Sequence, residues 1–322
     1  MFLDKNGLLY LFSAALASIF VWDVQEQEYR ATIPLIEEDV RFAAYSPDNH
    51  EIYTFSASPE GANPTDGPSA GTGLIRRIDL AAGPPYSQDP LAIIPGLPDG
   101  MVTAGEFIFV SFAWPWDEGA VLASNGTLLS QGGVGHLTSD EYVWNHANRK
   151  ISFISRFGNF DDIGISEVGF IEESLRIIPD SSPPIRVKPD GSFAVLGSGA
   201  MIDTINKRRL STTLANGFSD LVFLGDDLRT MRSFGNGVTQ FQSWVDNSGS
   251  FDAEPSFELQ ENPTRQVAGS PLRLFSWVDG DTLVAVVMED EKPTFQVMDH
   301  EFNDVDRESS LVGRNGDELE NP

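Results

Sequence analysis

Apolar residues along this chain come in short runs, each closed by a cluster of Asp, Asn, Gly or Pro. The runs recur in pairs joined by a tight polar turn. Phe2-Leu3-Asp4-Lys5-Asn6-Gly7 leads into Leu8-Leu9-Tyr10-Leu11-Phe12, and Phe42-Ala43-Ala44-Tyr45-Ser46-Pro47-Asp48-Asn49 leads into Ile52-Tyr53-Thr54-Phe55. The same design returns at Ile185-Arg186-Val187-Lys188-Pro189-Asp190-Gly191 before Phe193-Ala194-Val195-Leu196, and at Phe275-Ser276-Trp277-Val278-Asp279-Gly280 before Leu283-Val284-Ala285-Val286-Val287. Apolar and polar positions alternate with the two-residue period of strands, and almost no stretch carries the 3.6-residue period of an amphipathic helix. The 29 Gly and 20 Pro residues supply the turns that many short strands need.

Weaker copies sit at Leu221–Asp226, Leu137–Asp140 and Ala104–Glu106. From Asp4 to Asp279 the copies fall about 46 residues apart, which is the length of a four-stranded propeller blade. Ser18–Val24, Leu74–Leu80, Lys150–Ser155 and Thr294–Asp299 read as the third strands of such blades. The expected fold class is therefore all-β, a single β-propeller of about seven four-stranded blades. It is expected to occupy residues 1–312, with 313–322 an acidic tail or linker. The apolar stretch Leu8–Trp22 is short for a membrane span and rich in Ser and Ala, so it reads as two strands rather than a span or an export signal. Because the chain opens on an inner strand, the ring must close with its C-terminal segment or share the N-terminal strand across the seam.

The turn Tyr45-Ser46-Pro47-Asp48 before Glu51-Ile52-Tyr53, with Ile19-Phe20-Val21-Trp22-Asp23 ahead of it, resembles YVTN-type and WD40-like propeller repeats. In those repeats a Ser-Pro-Asp-Gly turn precedes an Ile/Leu-Tyr-Val strand, and a later strand ends in Asp. The resemblance covers most of the chain at the level of the repeat and implies a fold and a superfamily rather than an activity. Gly135-His136 has no Trp-Asp at WD40 spacing after it.

Charge narrows the partners. With 48 Asp+Glu against 21 Lys+Arg, the net charge is −27. Nucleic acid is an unsuitable partner because its phosphates call for a basic patch, and anionic membrane surfaces are disfavoured for the same reason. No membrane insertion is expected. There is no cysteine, so disulfides, thiolate metal sites and a cysteine nucleophile are excluded. The acidic surface suits an extracellular, cell-surface or periplasmic protein.

If the Asp-Gly turns join the first and second strands of each blade, the connections between second and third strands share the opposite rim. Two of these stand out: the long segment Ser56–Gly73, and Ala113-Trp114-Pro115-Trp116-Asp117-Glu118 in the following blade. Trp114 and Trp116 flank a proline with Asp117 and Glu118 beside them, a pattern suited to stacking on a sugar ring or gripping a protein. Packing over a blade edge is the plainer alternative. The run from Asp246 to Glu254 offers Asp246, Ser248, Asp252 and Glu254 as hard oxygen ligands for Ca²⁺, and equally reads as a plain hairpin turn. No cofactor is required. The pairs Asp161-Asp162 and Asp226-Asp227 are expected to be surface charge, and His50, His136, His146 and His300 show no ligand spacing and are expected to be solvated. Asn125-Gly126-Thr127 matches a glycosylation sequon.

Catalytic signatures such as a nucleophile elbow or a phosphate-binding glycine loop do not occur. The favoured expectation is a non-catalytic module that binds a protein or carbohydrate partner through its loop face or blade edges, as one unit of a larger protein or assembly. The alternative is a lactonase-like or quinoprotein-like propeller enzyme with its site at the central channel mouth. The inner-strand residues assigned at this point, Ala43, Ala44, Val222 and Phe223, are small or apolar and weigh against it.

Overall fold

The computed structural model describes residues 1–58, 72–96, 98–112, 118–133, 139, 141–155, 157–171, 181–215, 217–247, 255–277 and 281–305. Its strands form seven antiparallel sheets, each built from consecutive segments. Blade 1 holds β1 (Phe2–Leu3), β2 (Leu8–Ser13), β3 (Ser18–Asp23) and β4 (Glu28–Pro34). Blade 2 holds β5 (Val40–Ser46), β6 (Glu51–Ser58), β7 (Thr72–Asp79) and β8 (Gln88–Pro95). Blade 3 holds β9 (Pro98–Ala104), β10 (Phe107–Phe112), β11 (Glu118–Ala123) and β12 (Leu128–Gly133). Blade 4 holds β13 (Tyr142–Asn145), β14 (Lys150–Ile154), β15 (Phe160–Ser166) and β16 (Gly169–Ile171). Blade 5 holds β17 (Ile185–Val187), β18 (Phe193–Leu196), β19 (Ala200–Asp203) and β20 (Arg208–Thr213). Blade 6 holds β21 (Asp220–Leu224), β22 (Asp227–Ser233), β23 (Val238–Asp246) and β24 (Phe257–Ala268). Blade 7 holds β25 (Ser270–Ser276), β26 (Thr282–Glu289) and β27 (Lys292–Asp299).

Alternation along each strand explains why these sheets form a ring. In β10, Phe107 and Phe109 pack with Ile151, Phe153, Ile163 and Ile165 of blade 4. The intervening Ile108, Val110 and Phe112 pack with Tyr53, Phe55, Ile75 and Ile94 of blade 2. Each blade is thus apolar on both faces, and a sheet of that kind must be covered twice. Seven such clusters exist, one between each neighbouring pair, including one that joins blade 7 to blade 1. The fold is a closed seven-bladed β-propeller.

Among the described residues the closing seam shares no strand. Leu9, Leu11, Trp22 and Val24 of blade 1 pack against Val284, Val286 and Val297 of blade 7. Trp22 stacks on Phe295 with ring centroids 4.3 Å apart. Trp277 lies against the blade 1 turn, where a β-carbon on Gly7 (φ +80°) would sit 2.7 Å from its ring. Among the described residues blade 7 shows three strands, and its outer position holds one bridge, Met298 to Asp304. Arg265 of blade 6 donates to Phe302 O at 2.9 Å and pairs with Asp304 at 2.6 Å, while Gln27 of blade 1 donates to Val305 O at 3.0 Å. Both neighbours therefore pin the C-terminal stub across the seam.

Blade 4 corrects the phase read from the sequence. Lys150–Ile154 forms its second strand, not its third, because the first turn is His146–Arg149 and not Leu137–Asp140. Asn145 Oδ1 accepts the Asn148 N–H at 3.2 Å, and Arg149 takes the left-handed backbone (φ +53°) that closes this turn without an Asp-Gly pair. The stretch Leu8–Trp22 is two strands, β2 and β3, as expected.

Candidate functional site

The Asp that ends the third strand of blades 1, 2, 5 and 7 has a local role. Asp203 Oδ1 accepts the N–H groups of Ile205 and Asn206 at 3.0 and 2.8 Å, Asp299 Oδ1 those of Glu301 and Asn303 at 2.8 Å each, and Asp23 Oδ1 those of Gln25 and Glu26 at 2.8 and 2.9 Å. A carboxylate that bridges successive amides fixes the turn to the outer strand. These amides hold the Asp203 and Asp299 carboxyls below the usual range, overcoming the burial that pushes them up. The repeat signature is accordingly a set of turn clamps.

A different arrangement occupies the axis. Glu141 precedes β13, Arg186 is the second residue of β17, Asp220 opens β21 and Arg273 lies in β25. Four inner strands from blades 4 to 7 thus bring a charged side chain to the same end of the ring. Arg186 donates from Nε to Asp220 Oδ1 at 2.6 Å and from Nη1 to Glu141 Oε1 at 2.7 Å. Asp220 Oδ2 accepts the Leu274 N–H at 2.7 Å, and Glu141 Oε2 the Ile185 N–H at 2.7 Å. Arg273 reaches the same two acids less closely, with Nε 3.5 Å from Asp220 Oδ2 and Nη1 3.5 Å from Glu141 Oε1. Blades 4 and 7 are not neighbours in the ring, so the Arg273–Glu141 contact crosses the central channel. The network is a charged plug at the rim where the inner strands begin.

The two guanidinium groups differ. The Asp220 side chain is 0% exposed and that of Arg186 13%. Burial works against the Arg186 charge, but attraction by Asp220 and then Glu141 outweighs it and raises its pKa. Arg273, 36% exposed, is lowered, first by burial and next by the like charge of Arg186. All four residues escaped the sequence reading, which judged the inner strands by small and apolar members such as Ala43 and Val222. The only signal present was a charged residue in an otherwise apolar inner strand, as in Ile185-Arg186-Val187.

A second polar cluster lies at the opposite rim, between blades 1 and 2. Tyr45 Oη is 3.2 Å from His50 Nδ1, whose Nε2 is 3.9 Å from Asp4 Oδ2. His50 is only 21% exposed there, contrary to the expectation of solvated histidines. Asp4 serves its turn by accepting the Asn6 and Leu8 N–H groups at 2.9 and 2.8 Å. Burial, aided by the Asp4 charge, pushes the Tyr45 phenol up to about 12, which suits a hydrogen-bonding strut better than an acid–base group.

Among the sequence candidates, Trp114, Trp116 and Asp117 lie outside the described residues, as does the side chain of Glu118. The flanking ends of β10 and β11 stand at the rim that holds the plug. Ser248, Asp252 and Glu254 also lie outside the described residues, while Asp246 closes β23 and donates its N–H to Asp227 Oδ1 at 3.1 Å. The pair Asp161-Asp162 is not surface charge: both residues are buried on β15, and Asp162 meets Lys207 at 2.9 Å. Asp226, in contrast, is exposed and pairs with Lys188 at 2.9 Å.

No family model and no curated protein matches the chain. Solved structures do resemble it. One is a functionally unknown protein from Desulfotomaculum acetoxidans, with a TM-score of 0.66 and 13% identity over 93% of this chain and 94% of that one. Another is hydrazine synthase from Kuenenia stuttgartiensis, with a TM-score of 0.63 and 13% identity over 94% and 95%. A third is a chain of a mitotic checkpoint complex, with a TM-score of 0.63 and 11% identity over 91% and 88%. Identities this low share the propeller fold and carry no activity across.

Proposed function

We propose that this chain is a non-catalytic propeller module of the YVTN/WD40-like kind. It binds a protein or carbohydrate partner through the rim that holds the plug and the second-to-third strand connections, as one unit of a larger protein or assembly outside the cytoplasm. One observation carries this reading. At the channel mouth, where a propeller enzyme would keep its reactive groups, each oxygen of Asp220 and Glu141 already meets N–H donors of the protein itself. Carboxylates engaged in this way are poor ligands for a divalent ion and poor proton acceptors. The reading requires no cofactor, and calcium at the turn from Asp246 would brace a loop.

The test compares the wild-type chain with a Trp114→Ala/Trp116→Ala variant on a carbohydrate array and in cross-linking to its native surroundings. Loss of a discrete bound species with unchanged melting supports the reading. Binding that survives every change on this rim counts against it. The enzyme alternative has one feature in its favour, the meeting of two acids on the axis. Turnover of lactones with Ca²⁺ by the wild type, abolished by Glu141→Gln, would replace the binding reading.

A further inference from the structure

Arg273 is the least satisfied charge in the plug. Arg186 takes the short contacts to both acids, and Arg273 is left with two at 3.5 Å. The Phe275 ring lies 5.9 Å from its guanidinium carbon, which favours a held planar group over a freely waving one. With the side chain 36% exposed, this cation is half-desolvated and crowded by the like charge of Arg186. An apolar lining would serve stability as well as such a network does, so its presence calls for a reason other than stability.

We infer that Arg273 is an anchor at the mouth of the axial channel for the carboxylate of an incoming ligand, with Arg186 held behind it by Asp220 and Glu141 as a positioning residue. A planar carboxylate matches the guanidinium fork, and a charge-assisted hydrogen bond is strongest where water is partly excluded. Asp220 and Glu141 keep Arg186 from competing for the ligand and fix the orientation of the network. The chain's net charge of −27 repels anions at long range, so capture depends on this local cation and not on a general field. The carboxylate belongs either to a small organic acid or to an acidic side chain of a protein. The inference rests on the channel geometry and holds whether the rim binds a partner or a substrate.

Acetate titration of the ¹⁵N-labelled full chain, followed at the arginine Nε–H resonances, tests it. One resonance should shift and saturate in the millimolar range, vanish in Arg273→Gln, and stay unmoved by sodium chloride at equal ionic strength. Arg273→Lys, which keeps the charge but loses the fork, should fold and bind acetate several-fold more weakly. N-acetyl-aspartate amide binding more tightly than acetate assigns the carboxylate to a protein, and the reverse order assigns it to a small acid. A chloride response equal to that of acetate, a response that persists in Arg273→Gln, or none at all overturns the anchor. None of those results touches binding through Trp114 and Trp116, so the two readings fail separately.

Discussion

Between blades, side chains such as Phe55, Ile75, Ile108 and Val110 meet as apolar surfaces. Across the channel, Arg186, Asp220, Glu141 and Arg273 meet through charge alone. The two regions are stabilised by different terms. A seam gains from area removed from water, roughly 25 cal/mol per Å², and one methylene more or less changes it by a small step. The plug balances a large desolvation cost against attraction, so removing one member leaves the others stranded. Seams should therefore respond to mutation in proportion to volume, and the plug in an all-or-none way.

The sharpest test of this difference is Asp220→Ala. It strips Arg186 of its closest partner and leaves the Leu274 amide unpaired, so urea denaturation should report a loss of about 3–5 kcal/mol. Replacing Arg186, Asp220, Glu141 and Arg273 together by apolar residues of similar size should cost less than Asp220→Ala alone. A quadruple variant less stable than the single one would break the comparison. In the seams, Ile75→Val removes one methylene from a fully buried site and should cost about 0.5–1.5 kcal/mol in the same assay.

Two smaller effects follow from pH. Tyr45 titrates near 10 when unfolded and at about 12 when folded, so the folded chain keeps its proton longer. Its contribution is fully present below pH 10 and is lost as pH rises from 10 towards 12. Tyr45→Phe should flatten the alkaline fall in denaturation midpoint, and an unchanged slope would show that the phenol is not held as described. Asp203 has the opposite sign. Its carboxyl is held below the ordinary 3.8, so its contribution is present above that pH and drains away as acid is added. Asp203→Asn should reduce the acid slope by a smaller margin still, because the turn is at the surface.

The same contrast explains what was legible in the sequence. Seams arise from alternation within single strands, as in Phe107-Ile108-Phe109-Val110, and that pattern is visible to anyone reading locally. The number of blades followed from it. Blade 4 was misphased because its first turn, Asn145 to Arg149, closes through an Asn side chain and a left-handed arginine and not through Asp-Gly. The plug was invisible because Glu141 and Arg273 are 132 positions apart, and only ring closure brings them together. Trp114 and Trp116, by comparison, drew notice by composition alone.

The seam between blades 7 and 1 sets a timetable for the nascent chain. Leu9, Leu11 and Trp22 leave the ribosome long before their cover, Val284, Val286 and Val297, which lies far along the same chain. At roughly 5–20 residues per second, that leaves one half of the joint bare for on the order of 10–50 seconds. Every molecule must pass through this interval with a sticky sheet face waiting for its mate. Chaperone demand and inclusion-body formation should therefore respond more to substitutions at Leu9 or Leu11 than to equal changes inside blades 3 and 4, whose faces are covered soon after they emerge.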